Sequence, residues 1–124
     1  MKVALVTGAA QGIGRRTAEV LAERGFSLAL NDLRSPAETA AQARTHGVDV
    51  IEVLADVSDE AAVARMADSV MTRYGRIDVL VNNAGISSIS PAEEITASRW
   101  LASLLLMTSR RQSLSLVILR KVAL

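Results

Sequence analysis

The sequence predicts an α/β fold in which helices cover both faces of a doubly wound parallel sheet. Short aliphatic runs alternate with longer segments of helical periodicity, in the order strand, helix, strand, helix, strand, helix, strand. Strands that are separated by helices run parallel and are joined by right-handed crossovers. These runs are too apolar to leave either face of a sheet in water. We expect one domain, because 124 residues are too few for two, and a strand order 3-2-1-4.

The predicted strands are the β-branched or aliphatic runs at residues 3–6, 27–30, 50–54 and 77–81. A helix follows each of the first three strands and ends at a glycine, which adopts the left-handed conformation of a helix C-cap at little cost. These glycines are Gly25, Gly47 and Gly75. The predicted helices therefore occupy residues 12–24, 35–45 and 58–74.

Polar residues mark where the later helices begin. We expect Ser35 to be the N-cap of the second helix, Pro36 its first residue and Glu38 the partner in a capping box. We expect Ser58 to cap the third helix, whose first turn holds carboxylates that the helix dipole favours. A further helix is predicted to begin near Ala97.

The composition excludes several kinds of site. The chain has no cysteine, which rules out disulfides and thiolate chemistry. Its single histidine, His46, has no second ligand at metal spacing, so we predict no metal site. Residues 1–94 hold 13 acidic and nine basic residues, whereas residues 95–124 hold five basic and no acidic ones. That basic segment lacks interleaved aromatic residues, so we expect no nucleic-acid binding.

No segment has the pattern of a targeting signal or a membrane span. Lys2 is followed by an apolar run too short for a signal peptide. The apolar stretches near residues 101–107 and 114–119 are separated by Arg110 and Arg111, so neither can cross a bilayer. We expect a cytoplasmic protein that makes no membrane contact.

The junction of the first strand and first helix carries three glycines at Gly8, Gly12 and Gly14. Glycine lets the backbone turn sharply and brings free amides close to a ligand, and the helix N-terminus adds a partial positive charge. This position, after a buried strand and before a helix, predicts a pyrophosphate site. Its other candidate members are Thr7, Gln11 and Ile13.

Asp32 follows the second strand, 18 residues after Gly14. At the end of a parallel strand its carboxylate can accept hydrogen bonds from both hydroxyls of an adenosine ribose. The same charge repels a 2′-phosphate, which favours NAD over NADP, although Arg15, Arg16 and Arg34 can partly offset the repulsion. The alternative is that Asp32 serves only the turn.

Polar or small residues also follow the third and fourth strands. Asp56 and Val57 lie where an adenine edge can meet a carboxylate and a backbone amide, or they are simply part of a helix start signal. Asn83, Ala84 and Gly85 allow a ligand to approach closely at the carboxyl edge of the sheet.

Together with Pro91, Thr96 and Trp100, these motifs make residues 1 to about 100 similar to the N-terminal part of the classical short-chain dehydrogenase/reductase family. The resemblance implies a Rossmann-like fold and hydride transfer between NAD(H) and an alcohol or ketone. Gln11 stands where relatives that prefer NADP often carry a basic residue. By resemblance, the cofactor residues are Gly8, Gly12, Ile13 and Gly14 for the pyrophosphate, Asp32 for the adenosine ribose, Asp56 and Val57 for the adenine, and Asn83, Ala84 and Gly85 towards the nicotinamide ribose.

The Ser, Tyr and Lys that carry out the family's chemistry have no counterpart here. The only tyrosine is Tyr74, and no lysine follows it at the family's spacing of four residues. Tyr74 belongs to an apolar helical stripe, so we predict that it lies in the core. We assign no catalytic residue and expect weak NAD binding without turnover. The alternatives are an active NAD-dependent oxidoreductase and a non-functional truncated product.

The chain divides into a dinucleotide-binding part at residues 1–100 and a divergent basic tail, rich in Leu and Ser, at residues 101–124. One hypothesis for the tail is a shifted reading frame near Trp100. The sheet would then be incomplete, and the exposed edge of its fourth strand predicts aggregation or pairing between copies. The tail itself is compatible with a makeshift strand or with a basic helix.

Overall fold

The computed structural model describes residues 1–84, which form a four-stranded sheet with helices on both faces. The strands are β1 (Val3–Thr7), β2 (Ser27–Asp32), β3 (Val50–Leu54) and β4 (Val79–Val81). The helices are α1 (Gly12–Glu23), α2 (Ala37–Arg44) and α3 (Glu60–Tyr74). The order is β3-β2-β1-β4 and the pairings are parallel, so the predicted fold is confirmed. The predictions for Ala97 and for residues 101–124 concern residues outside this range, and within residues 1–84 β4 pairs with β1 alone.

The core consists of two apolar layers, one on each face of the sheet. Alternate residues of a strand point to opposite faces, so Val3 and Leu5 of β1 pack with α3, whereas Ala4 and Val6 pack with α1 and α2. The buried apolar residues that α1 and α2 contribute to their layer are all alanines, which lets these helices lie close to the sheet. They are Ala18, Ala22, Ala40 and Ala43.

The predicted helix ends are confirmed, because Gly25, Gly47 and Gly75 all have positive φ. The predicted start of α2 is wrong. Pro36 occupies the N-cap position with a ψ of 31°, so the chain enters the helix one residue later than a Ser35 cap requires. No side chain of residues 1–84 caps this end. The Ser35 hydroxyl instead donates to Glu52, at 3.5 Å.

The start of α3 lies one residue beyond the predicted cap. Asp59, not Ser58, is the N-cap, and its Oδ1 accepts hydrogen bonds from the amides of Ala61 (3.0 Å) and Ala62 (3.3 Å). The Ser58 hydroxyl donates to Asp56.

The strand β4 begins two residues later than predicted because a side chain takes part in its pairing with β1. The Asp78 carboxylate accepts a hydrogen bond of 2.7 Å from the Val3 amide, and the Asp78 amide donates to the Val3 carbonyl. Arg76 pairs with the same carboxylate at 2.6 Å. Both contacts lower the pKa of Asp78 below its ordinary value.

The outer strand β3 has a basic residue along its edge. Arg44, the last residue of α2, donates from Nη2 to the Val50 carbonyl at 2.9 Å and lies 3.5 Å from the Glu52 carboxylate. Among the helices of residues 1–84, none has the length and apolar character needed to cross a membrane.

Candidate functional site

The loop between β1 and α1 is shaped by two glycines with positive φ, Gly8 (67°) and Gly12 (59°). An added Cβ at Gly8 would lie 2.9 Å from the Ala84 Cα, so the segment that follows β4 packs directly on this residue. An added Cβ at Gly14 would overlap the Gly8 carbonyl oxygen. At Gly12, by contrast, an added Cβ would meet nothing within 4 Å among the described residues. Two of the glycines are thus required by packing, and Gly12 faces open space.

A threonine holds the ends of β1 and β4 together. The Thr7 hydroxyl donates to the Val81 carbonyl at 3.2 Å and accepts from the amides of Asn83 (3.1 Å) and Ala84 (3.0 Å). The Asn83 side-chain amide donates to the Gly8 carbonyl at 3.2 Å. These contacts fix the base of the glycine loop against the carboxyl end of β4.

The last residue of β2, Asp32, is bound to the glycine loop. One oxygen of its carboxylate accepts from the Ala10 amide at 2.9 Å, and the other accepts from the Arg34 amide at 3.3 Å. A carboxylate oxygen can accept two hydrogen bonds. Each oxygen therefore keeps acceptor capacity for a ligand hydroxyl.

The neighbouring residue, Asn31, ties β2 to the end of β3. Its buried side-chain amide donates to the carbonyls of Val53 (3.0 Å) and Ala55 (3.1 Å). The wall of the site next to Asp32 is therefore fixed by hydrogen bonds between side chains and backbone.

The N-terminus of α1 opens towards this site without a polar cap. Gln11 is the N-cap residue, and among the described residues no side chain caps this end and no acidic residue lies in the first turn. The first amides of a helix have no partner within the helix and carry its partial positive charge. An anion is the chemical group that such an end binds.

These features surround one cavity of about 560 Å³ at the carboxyl edge of the sheet. The glycine loop, the end of β2 and the ends of β3 and β4 all contribute to its lining. Its lining residues are Gly8, Ala10, Gln11, Gly12, Ile13, Asn31, Asp32, Leu33, Arg34, Ser35, Ala55, Val57, Asn83 and Ala84.

Most of the predicted site residues meet at this cavity. Those that line it are Gly8, Gln11, Gly12, Ile13, Asp32, Val57, Asn83 and Ala84. Thr7 and Gly14 lie behind the lining and support it. Asp56 is exposed, and its carboxylate accepts hydrogen bonds from the Ser58 amide and hydroxyl, which fits the turn interpretation. Gly85, Pro91, Thr96 and Trp100 lie outside the described residues.

Sequence reasoning missed Asn31 and Thr39 as supports of the site. Thr39 lies on α2, is fully buried and donates to the Ala9 carbonyl at 2.8 Å. A signal was present for both, because each is a polar residue at a position where its element is otherwise buried and apolar. Such a residue needs a hydrogen-bond partner inside the protein.

Tyr74 is confirmed as a residue that packs on the core. It contacts the layer between the sheet and α3, and its hydroxyl donates to the Leu28 carbonyl at 3.1 Å. Leu28 lies near the start of β2, whereas the cavity lies at the end of that strand. Burial, together with the nearby Asp49 carboxylate, raises the pKa of Tyr74 to about 12. Its position and its pKa both make it unsuitable as a base at the cavity.

Comparison with known proteins gives consistent results. A family model described as short chain dehydrogenase matches residues 2–109. The chain is 42% identical over 105 residues to a D-threitol dehydrogenase of Mycolicibacterium smegmatis, covering 83% of this chain and 40% of that protein. It is 43% identical over 101 residues to a cis-4-hydroxycyclohexanecarboxylate dehydrogenase of Sinomonas cyclohexanicum, covering 80% and 41%. The chain thus spans about two fifths of the length of these relatives.

The fold has a similar counterpart among solved structures. A crystal structure titled as a short-chain dehydrogenase/reductase of Burkholderia xenovorans matches with a TM-score of 0.85 and 26% identity. The match covers 95% of this chain and 51% of that one.

Proposed function

This chain belongs to the short-chain dehydrogenase family, a family of oxidoreductases, and we propose that its residues 1–84 bind the adenosine and pyrophosphate parts of NAD. The observation that carries the proposal is the position of Asp32. Its carboxylate shares one cavity with the glycine loop and with the open N-terminus of α1. An acceptor for ribose hydroxyls and a binding end for phosphates therefore lie side by side.

The residues present fit such a cofactor. The free space at Gly12 leaves room for a phosphate close to the backbone, and the first amides of α1 would hold it. Asp32 would accept hydrogen bonds from the adenosine ribose, and Val57 offers an apolar surface for the adenine. Asn83 and Ala84, at the end of β4, would border the part that leads to the nicotinamide. The nicotinamide ring, when bound, supplies the hydride donor or acceptor of the family's chemistry.

Charge supports NAD over NADP as the ligand. The carboxylate of Asp32 would repel a 2′-phosphate, and Gln11 brings no positive charge to the loop. The nearby Arg15 is engaged by two carboxylates, Glu19 at 3.4 Å and Glu38 at 3.1 Å. Arg34 lines the cavity as well and would weaken this repulsion.

We propose that this chain binds NAD without turning over substrate. In its sequence no tyrosine has a lysine four residues later, and Tyr74 packs on the core away from the cavity. The alternative is a chain that is itself an active oxidoreductase on an alcohol or ketone, the activity that its relatives' names favour. In either case the proposed setting is the cytoplasm and the proposed substrate of the whole protein is a small molecule.

The test is a calorimetric titration of the purified chain with NAD and with NADP, followed by assays for NADH production with a panel of alcohols. We expect NAD to bind more tightly than NADP, and we expect no NADH. Production of NADH would favour the enzyme alternative. Absence of NAD binding would contradict the proposal.

A matched pair of variants assigns the preference to Asp32. Asp32→Asn keeps the shape and the hydrogen bond from Ala10 but removes the charge, so we expect NAD affinity to fall about tenfold and NADP to bind better. Asp49→Asn makes the same change at the entry to β3, on the opposite edge of the sheet. It should leave both affinities unchanged.

A further inference from the structure

The first turn of α2 carries a buried hydroxyl that reaches the glycine loop. Thr39 is 0% exposed, and its Oγ1 donates to the Ala9 carbonyl at 2.8 Å. The neighbouring buried positions of this helix are Ala40 and Ala43. A hydroxyl is costly at such a position unless it is hydrogen-bonded. Thr39 therefore requires an explanation that the packing of α2 on the sheet does not give.

The hydroxyl and Asp32 act on one peptide group. The carbonyl of Ala9 and the amide of Ala10 belong to the same planar unit, so fixing the direction of one fixes the other. Thr39 holds this unit by its carbonyl, and Asp32 receives its N–H at 2.9 Å. The Ala9 amide is also bound, to the Asn31 carbonyl at 2.9 Å.

We propose that Thr39 is a positioning residue for recognition of the adenosine ribose. This inference rests on the proposed function. By holding the Ala9 carbonyl, Thr39 keeps the Ala10 amide aimed at Asp32. That amide makes the shorter of the two contacts that orient the carboxylate, 2.9 Å against 3.3 Å for the Arg34 amide. Without the hydroxyl the peptide unit can rotate, and the carboxylate loses the contact that directs its remaining acceptor capacity into the cavity.

The experiment compares NAD with its analogue that lacks the 2′-hydroxyl of the adenosine ribose, by calorimetry on the full chain. The quantity measured is the ratio of the two affinities, because general damage to the fold weakens both ligands alike. For the unchanged chain we expect NAD to bind about tenfold more tightly or better, as for a hydrogen bond to a charged group. For Thr39→Val we expect this ratio to fall at least about threefold.

Two further variants separate positioning from packing. Thr39→Ser keeps the hydroxyl, and we expect its ratio to stay within about twofold of the original. Thr45→Val is the same substitution at the exposed C-cap of α2, where the hydroxyl donates to the Gln42 carbonyl at 2.6 Å. It should leave the ratio unchanged. If Thr39→Val does not fold, Thr39→Ala takes its place, because it removes the hydroxyl without placing a methyl group against the Ala9 carbonyl.

A double variant tests whether Thr39 acts through Asp32. In an Asp32→Ala background, Thr39→Val should change NAD affinity by less than about twofold. This inference is overturned if the affinity ratio of Thr39→Val or Thr39→Ala equals that of the unsubstituted chain. It is also overturned if the unsubstituted chain shows no preference for the 2′-hydroxyl. The proposed function stands in both cases. If the unchanged chain does not bind NAD, the proposed function fails and this inference fails with it.

Discussion

The N-termini of α1 and α3 follow strands of the same sheet and differ in every polar feature. At α3 the Asp59 carboxylate caps the amides of Ala61 and Ala62, and Glu60 lies in the first turn. At α1, within the described residues, Gln11 provides no side-chain cap and the first turn holds no acid. The protein satisfies the end of α3 internally, whereas the end of α1 faces a cavity.

Under the proposed function, the difference separates a helix start that is stabilised by its own side chain from one that binds a ligand. A capped N-terminus contributes about 1 kcal/mol to stability, and at α3 the cap occupies the amides of Ala61 and Ala62. A helix N-terminus without a cap lacks that stabilisation. Its first amides bind water, which an anion can replace. Of the two glycines on α1, Gly12 lines the cavity, whereas Gly14 is required by packing against the Gly8 carbonyl.

The largest expected effect comes from replacing Gly14, the third residue of α1, with alanine, which is the residue at the third position of α3. Helix propensity alone predicts that Gly14→Ala stabilises the protein by about 1 kcal/mol. Because an added Cβ overlaps the Gly8 carbonyl, we expect instead a loss of about 3 kcal/mol in the free energy of unfolding. Urea denaturation measures it.

The control for this substitution is the reverse change in α3. Ala62 is the third residue of that helix, and Ala62→Gly should cost about 1 kcal/mol by helix propensity alone. If Gly14→Ala were stabilising, close packing of the glycine loop on α1 would be excluded.

The next effect comes from capping α1 in the manner of α3. Gln11→Asp places a carboxylate where Asp59 stands in α3, so thermal stability should be retained or improved. NAD affinity should fall about tenfold, because the new charge competes with the pyrophosphate for the same amides. Differential scanning fluorimetry and calorimetric titration measure the two quantities. Gln42→Asp adds the same charge on α2, outside the cavity lining, and should not affect binding; equal losses in both variants would contradict a local effect.

A smaller effect is expected from uncapping α3. Asp59→Ala removes the hydrogen bonds to Ala61 and Ala62, and we expect the free energy of unfolding to drop by about 1 kcal/mol. NAD affinity should not change, because this end does not line the cavity. A parallel loss of affinity would show that the two helix starts are not independent.

The smallest effect concerns a contact that belongs to neither helix start. The pKa of Asp78 is lowered by Arg76 and by the Val3 amide. A carboxyl whose pKa is lower in the folded than in the unfolded chain stabilises the fold above its ordinary value of 3.8, and that contribution is lost as the pH falls below it. Melting temperatures between pH 7 and pH 3 should fall more steeply for the unchanged chain than for Asp78→Asn. Parallel curves would contradict this assignment.

The sequence predicted the parallel, doubly wound sheet and most of the cavity because both depend on local pattern. Aliphatic runs separated by helices permit few topologies, and the residues that follow parallel strands meet at one edge. Gly8, Gly12 and Asp32 were found in this way.

The features that sequence reasoning missed depend on the backbone conformation at the start of a helix or on hydrogen bonds between distant segments. Ser35 has the right type for a cap, but the conformation of Pro36 turns it towards Glu52. The partner of Thr39 is 30 residues away, and that of Asp78 is 75 residues away. Hydrogen bonds between segments so far apart leave no spacing that a sequence pattern can show.

The guanidinium of Arg44 has a consequence for how copies of this protein meet. The Asp49 carbonyl accepts from the Leu28 amide of β2, so the Val50 carbonyl, one residue later, points away from the sheet. Arg44 already occupies that carbonyl. A strand from another chain that paired with this edge of β3 would have to displace the Arg44 guanidinium from the Val50 carbonyl. A second copy that paired through its own β3 would place its Arg44 near this one. Arg44 thereby blocks one of the backbone acceptors that a strand pairing along the outer side of β3 would use.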